Sequence, residues 1–239
     1  MLPTIFIAID TQDLAKAKNL AEMFKEYPIG LKLGLEFISS QGVEGIKAIQ
    51  KYNFPIFLDT KFHDIPNTVA KAVDATVKLE PTILNIHASG GPAMMQAAKE
   101  ARDEAVEKYN LTTTPKLIAV TALTSMDDES LAQVGQQCAK TQVLNLAKLA
   151  KEAGLDGVVC SANETQEIQD VCGNNFLKIT PGIRLKGDNS GDQKRITTPE
   201  TALNNCSNVL VIGRSITGAK DPVKALETIL ATVLSIQKV

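Results

Sequence analysis

Residues 57–69 read FLDTKFHDIPNTV and set Asp59, Lys61 and Asp64 on, or just beyond, an apolar run. Side chains alternate along a strand, so Asp59 and Lys61 are expected to point the same way. Buried charges are costly unless paired. A structural ion pair would explain an isolated Asp-x-Lys at a strand end. Other apolar runs end in charge as well: the first runs into Asp10, the second carries Lys32 and the last enters Gly213-Arg214-Ser215. An order of Lys32, Asp59, Lys61 and Asp64 keeps each charge beside an opposite one. It can hold Lys61 protonated and aimed, as a general acid requires.

The last run suggests a phosphate site. Gly213 would let an anion approach the backbone, and Arg214 can bond a phosphate bidentately. The polar segment LKGDNSGDQKR (185–195) is expected to close over it as a lid. Neither GxGxxG nor GxxxxGK[ST] occurs. His63, His87 and Asn85 are read as structural rather than catalytic, and Cys160 as a core residue.

These residues need a scaffold, and the sequence predicts one. Eight short apolar runs, at 5–9, 29–33, 55–59, 82–87, 116–123, 157–161, 176–182 and 208–213, have the near-continuous hydrophobicity of strands buried on both faces. Helical stretches follow at 13–26, 40–52, 66–79, 92–108, 129–153, 163–172, 199–204 and 221–237. Strict alternation eight times over predicts an α/β fold, a (β/α)8 TIM barrel, as a single domain over 1–239. An open doubly wound sheet is the alternative. In barrels the active site gathers at the C-terminal strand ends, where all the charges named above fall.

Composition narrows the partners. The 239 residues are 44% hydrophobic and 4% aromatic with no Trp, so aliphatic side chains must build the core. The formal charge is -2, with both signs interspersed and no basic stripe, which excludes a nucleic-acid polymer. No apolar run approaches the roughly 20 residues of a membrane span, and MLPTIFIAID lacks the basic start of a signal peptide. Cys138, Cys160, Cys172 and Cys206 lie far apart without CxxC spacing, as expected of free thiols in a cytoplasmic protein. The sequons at Asn110, Asn163 and Asn205 are then chance matches.

The pattern Asp-x-Lys-x-x-Asp-Ile at 59–65, followed by Pro66-Asn67-Thr68, resembles the orotidine 5'-phosphate decarboxylase family. The resemblance runs the length of the chain: Asp10, Lys32, HASGG at 87–91, VTALTS at 120–125, DGVVCS at 156–161, PGIR at 181–184 and VIGRSIT at 211–217. It implies decarboxylation of orotidine 5'-monophosphate to uridine 5'-monophosphate, the last step of de novo pyrimidine nucleotide synthesis, with no cofactor and no metal. By resemblance, Lys61 delivers the proton to pyrimidine C6 and Asp59 sits beside the substrate carboxylate. Lys32 and Asp10 contact the ribose hydroxyls, and Lys32 also steadies Asp59. Thr124 reads the pyrimidine edge, and Arg184, Gln193, Gly213 and Arg214 grip the phosphate. Asp64 and Thr68 enter the site from the other subunit of a homodimer.

The chemistry is consistent with these residues. Loss of CO2 from C6 leaves a carbanion in the ring plane, beyond reach of the ring π-system. No electron-sink signature is present, so positioned electrostatics and remote binding energy must do the work. A Mg2+-dependent keto-sugar-phosphate decarboxylase or synthase of the same superfamily is the nearest rival. It would need a carboxylate where Lys32 stands. A non-catalytic phosphate-binding barrel would need no alternating charges.

Overall fold

The eight apolar runs become strands because each is buried on both sides. β1 (Ile5–Ile9), β2 (Gly30–Leu33), β3 (Ile56–Phe62), β4 (Ile83–His87), β5 (Lys116–Val120), β6 (Gly157–Val159), β7 (Leu177–Thr180) and β8 (Val209–Ile212) pair in parallel and in sequence order. β8 returns to β1 and closes the barrel. The structure, a computed structural model, describes residues 2–185 and 195–237. Gln193, and all of the 185–195 segment but its two end residues, lie outside the described residues. The chain therefore folds as the (β/α)8 barrel that the alternation predicts.

The period of two sorts the strand residues. Phe6, Ala8, Phe57, Ile83, Ile118, Ile179, Val209 and Val211 turn inward and plug the barrel. Phe6 meets Phe57 edge to face, with ring centroids 6.2 Å apart. Ile5, Ile7, Ile9, Leu31, Leu33 and Leu58 turn outward under the helices. Register aligns Ala8 with Lys32 and Lys32 with Phe57. Lys32 thus shares the inward face and rises from the top of an apolar plug.

The outer layer is α1 (Leu14–Phe24), α2 (Leu35–Gln50), α3 (Pro66–Val77), α4 (Gly91–Lys108), α5 (Asp128–Gln133), α6 (Ala139–Glu152), α7 (Thr165–Cys172), α8 (Pro199–Asn204), α9 (Arg214–Thr217) and α10 (Pro222–Gln237). The single helix expected over 129–153 is two. Gly135, at φ 73°, takes the left-handed conformation that stops α5. Asp128 then accepts from the Ala139 N–H at 2.7 Å and starts α6. The fifth strand ends at Val120 rather than at 123, which frees 122–125 to line the barrel mouth. No described helix is long and apolar enough to cross a membrane.

Candidate active site

The C-terminal ends of β1, β2 and β3 bring Asp10, Lys32 and Asp59 together. The Lys32 ammonium lies 3.3 Å from a carboxylate oxygen of each acid. Lys32 and Asp59 are buried, whereas the Asp10 side chain is 54% exposed. Burial alone would push the Lys32 amine down. The Asp59 carboxylate, and then that of Asp10, outweigh burial and hold it above the ordinary lysine range. Burial would likewise push Asp59 up. Lys32, then Lys61, with hydrogen bonds from Lys61 and Asn85, hold it below the ordinary carboxylate range.

Lys61 completes the group, with Nζ 2.5 Å from Asp59 Oδ1. It does not arrive there by simple alternation. β3 runs four steps from Leu58 to Phe62 while β4 advances two, from Leu84 to Ile86. Lys61 sits inside this bulge at φ 50°, in the left-handed region. Such backbone is costly for a non-glycine residue and gathers at functional sites.

These charges form one wall of a cavity of about 260 Å³. Ala8, Phe57, Val120, Ala122, Val159 and Val211 make an apolar floor. Thr124 and Ser125 border it from the loop after β5, and Pro181, Gly182 and Arg184 from the segment after β7. Gly213 and Arg214, at the start of α9, line it beside that segment, since β7 and β8 are paired. Arg184 is buried, its guanidinium donates to the Ile183 carbonyl at 2.9 Å, and its backbone N–H bonds Thr197. Cations at the β7 and β8 ends suit a phosphate.

Of the residues expected from sequence, Asp10, Lys32, Asp59, Lys61, Thr124, Arg184, Gly213 and Arg214 line this one cavity. Asp64 and Thr68 do not. Both are exposed, and Asp64 accepts a hydrogen bond from the N–H of its neighbour Ile65 at 2.7 Å. Gln193 lies outside the described residues. His63 and His87 stack at 5.3 Å. Burial first, then His63 and Lys61, bring His87 down to about 4, so it is neutral at pH 7.

Two features, at Gly34 and Arg195, were not anticipated, and a third residue, Asn85, was expected only in a structural role. Asn85 is fully buried and bonds both Asp59 and the Lys61 backbone. An Asn inside the apolar run TILNIH was the available signal, since buried amides require partners. Gly34 faces the Lys32 ammonium. Arg195 pairs with buried Glu164 at 2.5 Å, and its backbone N–H donates to the Thr124 carbonyl at 3.3 Å. It thereby ties the segment before α8 to the loop after β5.

The description of the orotidine 5'-phosphate decarboxylase / HUMPS family matches residues 3–229. The chain belongs to that family. An orotidine 5'-phosphate decarboxylase of Rhodospirillum rubrum is 47% identical over 232 residues, covering 96% of this chain and 94% of the relative. One of Idiomarina loihiensis is 46% identical over 97% of this chain and 98% of its own length. Among solved structures, an orotidine 5'-phosphate decarboxylase from Lactobacillus acidophilus superposes with a TM-score of 0.83 at 35% identity, covering 97% of this chain and 99% of that one. An uncharacterized conserved protein from Geobacillus kaustophilus also gives 0.83, at 33% identity over 95% of this chain and 99% of its own. The orotidine 5'-phosphate decarboxylase barrel is thus the scaffold on which the charged wall stands.

Proposed function

We propose that this chain decarboxylates orotidine 5'-monophosphate to uridine 5'-monophosphate and CO2, as a carboxy-lyase of pyrimidine nucleotide synthesis. The observation that carries the reading is the Lys61–Asp59 pair at 2.5 Å, backed by Lys32 and set over an apolar floor. The C6–carboxylate bond breaks, and its electron pair stays on C6 in the ring plane. The Lys61 ammonium stabilises that charge and transfers a proton to C6. The dry floor excludes water and strengthens the interaction. Asp59, ionised by its two lysine neighbours, holds the Lys61 ammonium in place and lies beside the departing carboxylate.

The remote groups of the substrate have their own partners. Asp10 and Lys32 bond the ribose hydroxyls, Thr124 the pyrimidine edge, and Arg184, Gln193, Gly213 and Arg214 the phosphate. Energy from these contacts holds the reacting carbon over Lys61. The exposure of Asp64 and Thr68, next to an Ile65 that is 66% exposed, supports a homodimer in which each subunit lends both polar residues to the other's site. Each subunit is one barrel domain over 1–239. Free thiols at all four cysteines suit a cytoplasmic setting.

No cofactor takes part in this route. Where the metal-dependent rival needs a carboxylate, this chain has Lys32, whose ammonium sits between Asp10 and Asp59 and would repel a divalent ion. The decisive experiment is CO2 release from orotidine 5'-monophosphate after exhaustive chelation, with full activity expected. Activity lost to chelator and restored by Mg2+ would overturn the reading in favour of an enediolate mechanism.

A further inference from the structure

Asn85 lies on β4, one strand beyond the two residues that do the chemistry, and lines no part of the cavity. It is 1% exposed. Its Nδ2 donates to Asp59 Oδ1 at 2.7 Å, and its Oδ1 accepts from the Lys61 backbone N–H at 2.8 Å. The amide can face only one way. A backbone N–H must donate, so Oδ1 faces Lys61, and Nδ2 is left for a carboxylate that only accepts. The Asn85 carbonyl also accepts from the Thr60 hydroxyl at 2.8 Å. One residue therefore bonds three successive members of the β3 bulge.

The bulge needs such a partner. It takes Lys61 out of register with β4, so its N–H has lost the ordinary ladder acceptor, and its φ of 50° is costly. The Asn85 side chain replaces that acceptor from within the barrel wall. The same amide fixes the plane of the Asp59 carboxylate. Oδ1 receives Asn85 and Lys61, and Oδ2 faces Lys32.

We infer that Asn85 is a positioning residue for the decarboxylation, a buried clamp that sets the Lys61 ammonium and the Asp59 carboxylate in reacting geometry without touching substrate. The inference rests on the reading of Lys61 and Asp59 proposed above. A misplacement of about 1 Å at a reacting centre can cost about 10²-fold in rate.

The test uses Asn85→Leu, which keeps the branching of the side chain and removes both hydrogen bonds, and Asn85→Ser, which can keep only one. The second serves alone if the first does not fold. For folded protein we expect kcat to fall about 10²-fold in Asn85→Leu and less in Asn85→Ser. The Kd of uridine 5'-monophosphate should stay within about threefold, because its partners do not touch Asn85. The acid limb of the kcat profile should move up in pH, because Asp59 loses a donor. Wild-type kcat and pH profile in the folded variants would overturn the clamp, as would product affinity lost in step with kcat. Lys61→Ala separates the two levels. If Lys61→Ala is inactive while the Asn85 variants are normal, the clamp alone fails. If Lys61→Ala keeps wild-type kcat, the site reading fails and the clamp falls with it.

Discussion

A methyl group on Gly34 would stand 2.8 Å from the Lys32 ammonium, and within 4 Å of both Asp10 and Asp59. Gly34 precedes α2 in extended backbone, at φ -97°, so glycine is not needed there for conformation. It is needed for space. Lys32 cannot give way without leaving the two carboxylates that hold it.

Gly34→Ala should therefore fold normally and lose activity. We expect kcat/KM to fall at least about tenfold, since small displacements of a reacting group cost up to about 10²-fold. Circular dichroism and steady-state rates on the same preparation check this. Unchanged kcat/KM would mean that Lys32 has room to spare.

The proposed homodimer with a shared site can be tested by subunit mixing. Lys61→Ala and Asp64→Ala homodimers should each be strongly impaired. In a heterodimer one site receives both defects and the other neither. With random exchange, about half the dimers are heterodimers with one intact site each, so activity should return to about a quarter of wild type. Flat activity, with heterodimers seen by native mass spectrometry, would place Asp64 in its own subunit's site.

Arg214 lines the cavity at the end of β8, in the place proposed for the phosphate. Arg214→Ala removes up to two charge-assisted hydrogen bonds, at about 1.5–3 kcal/mol each. This predicts a loss of about 10²–10⁴-fold in kcat/KM on orotidine 5'-monophosphate. The phosphate-free nucleoside, a poor substrate at best, should be turned over almost equally by both enzymes. Equal losses on the two substrates would remove Arg214 from the phosphate site.

Lys178 carries a cost unrelated to catalysis. It is fully buried on β7, where its ammonium donates to Gln169 at 2.8 Å. Burial pushes its amine below the ordinary lysine range. The native state thus binds fewer protons than the unfolded chain between that lowered value and about 10.4. Within this window the penalty shrinks as pH rises. Lys178→Met should raise the thermal midpoint at pH 7 by about 2–4 °C, the effect of about 1 kcal/mol in a domain of this size. The gain should fade towards pH 10. A gain independent of pH would trace instead to packing.

Much of the site was legible before the fold was known. Asp10, Lys32, Asp59, Lys61 and Arg214 stood out because charges at the ends of apolar runs are expensive, and a barrel sends all such ends to one rim. Asn85 and Gly34 were not legible as parts of the site. An Asn in a strand can be satisfied in many ways, and a Gly before a helix commonly serves only as its cap.

The alternation of apolar runs with helical stretches by itself determined the order of elements and pointed to a barrel with its charges on one rim, because period and burial are local properties of the chain; closure itself lies in the pairing of β8 with β1. The tertiary structure decided how Lys61 reaches Asp59. Alternation predicted the right direction, yet the chain gets there through a bulge two residues longer than its partner and a left-handed Lys61. In that geometry Asn85, 24 residues further on, supplies the acceptor that the regular ladder no longer provides. A contact between neighbouring strands depends on register, and register exists only once the strands are side by side.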